Sequence, residues 1–262
     1  SGSSDGDPTT FDVQAGKVQI DSGASVTAGS SVINISAASS VNVTTNGASL
    51  YSLTNASTGT VVLQDALTLT GNLTNSSTGT FNPNGKDITV TGNWDFSTGT
   101  YSHGSETVTL TGSSASTLIS TGSSFNSLTI NKSGSGTADD VNLQTKNLVV
   151  NRKLTITDGE LKQAADVEIT VDEMSIASGA QWTHEGGSDS DNATITIGTG
   201  AEGSGGVTNS GTITFNAKGG AAYGGDKDVV KIRSAAAGTQ AEFRGTGTYT
   251  WYDVDVKDMI RK

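Results

Sequence analysis

Three consecutive segments of this chain repeat the same apolar columns every 20 or 21 residues, and that period constrains the fold more than any other feature. The segments are SLTNASTGTVVLQDALTLT (52–70), GNLTNSSTGTFNPNGKDITVT (71–91) and GNWDFSTGTYSHGSETVTLT (92–111). Leu53, Leu73 and Trp94 align. So do Val61, Phe81 and Tyr101, each directly after Thr-Gly-Thr, and the pairs Leu67/Leu69, Ile88/Val90 and Val108/Leu110. The paired column continues at Leu128/Ile130, Leu148/Val150 and Ile169/Val171. It is looser upstream at Val18/Ile20 and Val41/Val43, and downstream at Ile195/Ile197, Ile213/Phe215 and Val254/Val256.

Alternation within each pair is a strand signature, one side chain in and the next out. The interruptions at Asn46-Gly47, Asn84-Gly85, Asp158-Gly159 and the Thr-Gly-Thr segments read as turns that supply positive φ. Prolines are confined to Pro8 and Pro83, so ladder hydrogen bonds are rarely interrupted. A period near twenty is too short for a propeller blade and fits three short strands per coil. The expected fold is therefore all-β, a single-stranded β-solenoid (β-helix) with coils of about 20 residues. It forms one domain over residues 1–262: regular coils at 50–171, irregular ones at 11–49 and 172–262, and an aromatic terminal strand at 249–256. Eleven or twelve coils spaced about 4.8 Å apart would extend roughly 55–60 Å. A pair of β-sandwich domains is the structural alternative.

Composition agrees with a thin core. Only 33% of the residues are apolar, 34 are glycine and none is cysteine. Coils that act as each other's lids can bury such a sparse apolar set. Without cysteine, disulfide staples and thiolate chemistry are excluded. A net charge of −11 disfavours nucleic acid and anionic membrane as partners, and no apolar run is long enough to span a bilayer. Residues 1–130 carry Lys17, Lys86 and eight acids, whereas 131–262 carry thirteen cations and eighteen acids. The surface thus changes from Ser/Thr/Asn-rich to mixed-charge along the chain. Opening at Ser1 without a leader reads as a mature or excised chain.

Gly71-Asn72-Leu73-Thr74, Gly92-Asn93-Trp94, Phe125-Asn126-Ser127-Leu128-Thr129-Ile130-Asn131 and Thr250-Trp251-Tyr252-Asp253-Val254-Asp255-Val256 carry a family likeness. They resemble the β-helical stalks of secreted bacterial surface proteins, the filamentous haemagglutinin-like and autotransporter passenger proteins, best over residues 50–160. The resemblance implies a microbial, extracellular or cell-surface protein and no particular ligand.

No catalytic constellation assembles in the sequence. His103 stands in a turn without a Gly-x-Ser-x-Gly elbow or an orienting carboxylate. His184-Glu185 lacks the second histidine of a zinc helix. Asp65, Asp87, Asp95 and Glu106 do not share one column, as the paired acids of a glycan-cleaving β-helix would. No catalytic, cofactor-binding or metal-binding residue is assigned. Bound calcium is conceivable at Asp189/Asp191/Asn192, Asp5/Asp7, Asp139/Asp140 or Asp226/Asp228, but none has EF-hand spacing. Thr68-x-Thr70, Thr89-x-Thr91 and Thr109-x-Thr111 form an outward double row of the kind found on ice-binding solenoids. The ordinary preference of threonine for exposed strand faces explains it as well. Seven Asn-x-Ser/Thr sequons occur, at Asn34, Asn42, Asn55, Asn72, Asn75, Asn131 and Asn192, and they permit glycosylation.

Function is thus expected on outward faces and open ends. The leading expectation is a structural subunit of an extracellular filament or surface layer, a homopolymer joined head to tail. The alternative is an adhesin or glycan-binding stalk with Trp94, Tyr101 and Trp182 as aromatic platforms. A polysaccharide-active enzyme and an ice-binding solenoid are lesser alternatives.

Overall fold

The computed structural model describes residues 10–24, 27, 29–120, 122–145, 147–186, 193–198, 205–217, 229–236 and 238–261. The protein is an all-β parallel solenoid with turns about 21 residues apart. A single 3₁₀ turn, Gly136–Asp139, is the only helical element among the described residues. Parallel pairing removes the sandwich alternative, whose sheets are antiparallel. The fold groups into two compact units, residues 1–111 with 116–126, and residues 112–115 with 127–262.

In the first unit each coil visits three sheets. The first sheet stacks Thr10–Val13, Val32–Ile35, Ser52–Asn55, Leu73–Asn75, Trp94–Asp95 and Ser116–Ile119. The second stacks Lys17–Gln19, Val41–Thr44, Thr60–Leu63, Thr80–Asn82 and Thr100–Tyr101. The third stacks Ser49–Leu50, Leu67–Leu69, Ile88–Val90 and Val108–Leu110. The columns expected from the repeat hold: Leu53 faces Leu73 and Leu73 faces Trp94, Val61 faces Phe81 and Phe81 faces Tyr101. Their side chains are buried, and Phe81, Trp94, Phe96, Tyr101 and Phe125 form one aromatic cluster with ring centroids 4.8–6.5 Å apart. Such geometry adds edge and stacking attraction to the burial itself.

Two column assignments change. Val18 and the Val41/Val43 pair belong to the second sheet, Val18 facing Val43 and Val41 facing Val61. The third sheet begins instead at Ser49–Leu50. Every face of a three-sided coil carries the same in–out alternation, so alternation alone does not distinguish one face from another.

In two of the three repeat segments Thr-Gly-Thr works differently from expectation. Asn46, Gly47, Asn84, Gly85, Gly99 and Gly159 do adopt positive φ, but Gly59 and Gly79 do not. A Cβ on Gly59 would lie 2.6 Å from Ser39 O, and one on Gly79 would meet Ser57 O and lie 2.6 Å from Gly59 O. These glycines let consecutive backbones approach at the coil corner.

In the second unit one sheet stacks Asp140–Leu143, Glu160–Gln163, Gln181–Glu185, Thr212–Asn216 and Thr248–Tyr252. Opposite it, Leu148–Asp158 and Ile169–Ile176 pair with a register shift between Val150 and Lys153. Such a bulge bends a strand, and beyond it the ladder divides. Ile169–Val171 continues into Thr194–Ile197, Val230–Ser234 and Val254–Lys257. Met174–Ile176 continues into Gly206–Asn209, Ala241–Arg244 and Met259–Arg261. Ile213/Phe215 therefore lies in the sheet of Trp182 and His184, not in the column of Ile195/Ile197.

Candidate functional site

The apolar surface of the described residues is concentrated on two coils. Four large hydrophobic side chains are exposed: Phe11 at 50%, Trp251 at 37%, Tyr252 at 57% and Val256 at 39%. Phe11 belongs to the first described strand, which among the described residues pairs only with Val32–Ile35. The other three belong to the last coil, whose strands Thr248–Tyr252, Val254–Lys257 and Met259–Arg261 each have a partner on one side only among the described residues. Among the described residues, these two coils have a neighbouring coil on one side only.

On the last coil the aromatic rings enclose an open cavity of about 390 Å³ lined by Phe243, Tyr249, Trp251, Val256, Met259 and Ile260. Trp251 stacks on Phe215 at 6.3 Å and meets Phe243 and Tyr249 edge-on at 5.5 and 5.6 Å. An apolar socket beside unpaired strand edges suits strand addition from another chain.

The proposed aromatic platforms lie elsewhere. Trp94, Tyr101 and Trp182 are buried, at 1%, 3% and 0% exposure, so none is available to stack on a sugar ring. Trp182 packs edge-on against Phe215 at 4.6 Å and donates its indole N–H to Gln163 Oε1 at 3.2 Å. Inward and outward positions are not separable for a tryptophan in an irregular coil by sequence alone.

Glu106 is a site residue the sequence concealed. It is 1% exposed, accepts the Tyr101 hydroxyl at 2.6 Å on Oε1, and accepts Gly104 N–H at 2.7 Å on Oε2. Burial raises the Tyr101 hydroxyl well above the usual tyrosine range, and the Glu106 carboxylate adds to that. Half-buried His103 lies at the same corner, with Nδ1 3.2 Å from Gly104 O. Satisfied bonds to the backbone and to a core tyrosine make this a corner clamp. Three other acids of the first unit serve the backbone likewise. Asp65 accepts Thr45 N–H at 2.9 Å and also Asn46 N–H, Asp87 accepts Thr107 N–H at 2.8 Å, and Asp95 accepts Ser97 N–H at 2.8 Å.

His184 is fully buried, facing Gln163 and Phe215 in register. Of the possible calcium sites, only Asp139/Asp140 falls within the described residues. Asp140 is buried and bridges Lys162 at 2.9 Å. Burial lowers the Lys132 ammonium pKa against the opposing pull of Asp139, and burial raises Glu160. Among the described residues no group of three His, Cys, Asp or Glu side chains is placed to hold a metal ion. Asp5, Asp7, Asp189, Asp191, Asn192, Asp226 and Asp228 lie outside them. Arg152, Lys153, Asp172 and Glu173, with Ser127, line a shallow cleft of about 240 Å³ at the β-bulge.

Thr68, Thr89 and Thr109 do stack in register. Beside them Thr91 and Thr111 hydroxyls bond each other at 3.3 Å, and Thr70 Oγ1 donates to Leu50 O at 3.4 Å. The row thus partly serves coil-to-coil bonding. Among the sequons, Asn55 and Asn75 are fully buried and stacked on each other, which makes them inaccessible to glycosylation in the folded chain.

No helix among the described residues is long and apolar enough to cross a membrane. No protein-family model matches the sequence, and no curated protein or solved structure matches it. The fold defines the class, a parallel β-solenoid.

Proposed function

We propose that this chain is a structural subunit of an extracellular filament or surface layer, built by end-to-end stacking of solenoids. The observation that carries the reading is the confinement of exposed large hydrophobics to the first and last described coils. Contiguous exposed apolar surface marks interaction sites, and a head-to-tail contact that does not close generates an open polymer. The surface location rests on the resemblance to filamentous haemagglutinin-like and autotransporter passenger stalks. The partner is a second copy of the chain; nucleic acid and membrane insertion have no role, and neither catalysis nor a cofactor is invoked. Negative-stain microscopy and light scattering of the purified chain at high concentration test the reading. Polymers or concentration-dependent oligomers are expected, and a strictly monomeric chain overturns it.

A glycan-binding stalk is the second reading, and Trp251 with Tyr252 is the observation that favours it. Their exposed rings are the platform that Trp94, Tyr101 and Trp182 do not provide. Monomers that bind surface polysaccharide through Trp251 would establish this reading in place of the first.

A further inference from the structure

The geometry points to one register for the stacking. The first described coil of one copy lies on the last coil of the next, with Phe11 against Tyr249 and Val13 against Trp251. This rests on the end-to-end reading above and specifies its joint.

Orientation follows from the ladder. Thr248–Tyr252 and Thr10–Val13 are edge strands of parallel sheets. Head-to-tail stacking continues the parallel ladder, whereas tail-to-tail stacking would set the strands antiparallel. Parity fixes which residues meet. Phe11 and Val13 share the inward side with Ile33 and Ile35, as Tyr249 and Trp251 do with Ile213 and Phe215. A slip of one residue would turn both apolar pairs outward. A slip of two would carry Val13 past Trp251 onto Asp253, a corner residue with φ of 54°.

The same register sets the Asp12 carboxylate against the Thr250 hydroxyl. It covers Phe11 and Trp251 and lays Phe11 and Val13 over the 390 Å³ socket. Strand addition with apolar side chains seated in pockets is a known recognition mode.

A cysteine-free chain makes the test direct. In the predicted register the Cα atoms of Asp12 and Thr250 of adjoining copies lie about 4.8 Å apart, within disulfide range. Under mild oxidation the double variant Asp12→Cys/Thr250→Cys should give a ladder of covalent multimers. Asp12→Cys/Tyr252→Cys, two residues out of register, should give at least tenfold less. Polymers that cross-link equally in both pairs, or in neither, overturn the register and leave end-to-end stacking standing. A chain that stays monomeric under the same conditions overturns both.

Discussion

Removing the hydroxyl of Tyr101 tests the corner clamp quantitatively. Tyr101→Phe keeps the ring, and with it the contacts to Trp94 at 5.1 Å and to Phe96 and Phe125 at 5.5 Å. It deletes the 2.6 Å hydrogen bond to Glu106 and leaves one oxygen of a buried carboxylate without that donor. A hydrogen bond to a charged group is worth about 1.5–3 kcal/mol, so the variant should lose about 2 kcal/mol at pH 7.5. The pH dependence sharpens the test. The folded pKa of Tyr101 is raised above its unfolded value of 10.0, first by burial and then by Glu106. The protonated hydroxyl therefore contributes fully below pH 10, and its contribution is lost as pH rises above that. Each unit above 10 costs the wild type about 1.36 kcal/mol. At pH 11.5 the loss is about 2 kcal/mol, which Tyr101→Phe does not suffer. Urea unfolding at pH 7.5, 9.0 and 11.5, followed by tryptophan fluorescence, should show a constant gap between the proteins at the first two values and a nearly closed gap at the third. A gap independent of pH, or one below about 0.5 kcal/mol at pH 7.5, would refute the clamp.

Two further predictions concern stability, read by thermal and urea unfolding. Gly79→Ala should cost about 3 kcal/mol, because its Cβ would be forced into the backbone of Ser57 and Gly59. Gly47→Ala, at φ of 81° with no atom within 4 Å of the new Cβ, should cost only about 1 kcal/mol; equal losses would show that close approach is not the reason for glycine at 79. Asn75→Ala should lose about 2 kcal/mol, since Nδ2 bridges Gly79 O at 3.2 Å and Thr98 O at 3.1 Å inside the core. A neutral effect would mean that the buried asparagine column is dispensable.

The coil period and the all-β parallel architecture were legible in the sequence between residues 50 and 171, because stacking forces like residues to recur at a constant interval. Leu53–Leu73–Trp94 and Val61–Phe81–Tyr101 could be aligned before any coordinates for that reason. Face assignment was not legible where loop lengths vary. Val18, Val41 and Ile213 show the same alternation on whichever side of the coil they lie, and the corners decide the side. The sequence showed of Glu106 only that it shares no column with Asp65, Asp87 and Asp95, since nothing local marks a carboxylate that turns inward to meet a tyrosine five residues earlier.

The terminal feature divides in the same way. Composition and alternation put one aromatic strand at 249–256, but the chain turns at Asp253, φ 54°, and divides it into Thr248–Tyr252 and Val254–Lys257. Only the folded chain shows that Trp94 and Trp182 are covered while Trp251, Tyr252 and Val256 are not. Burial in a solenoid depends on whether another coil lies on top, and that is a property of position along the stack, which no local pattern of residues records.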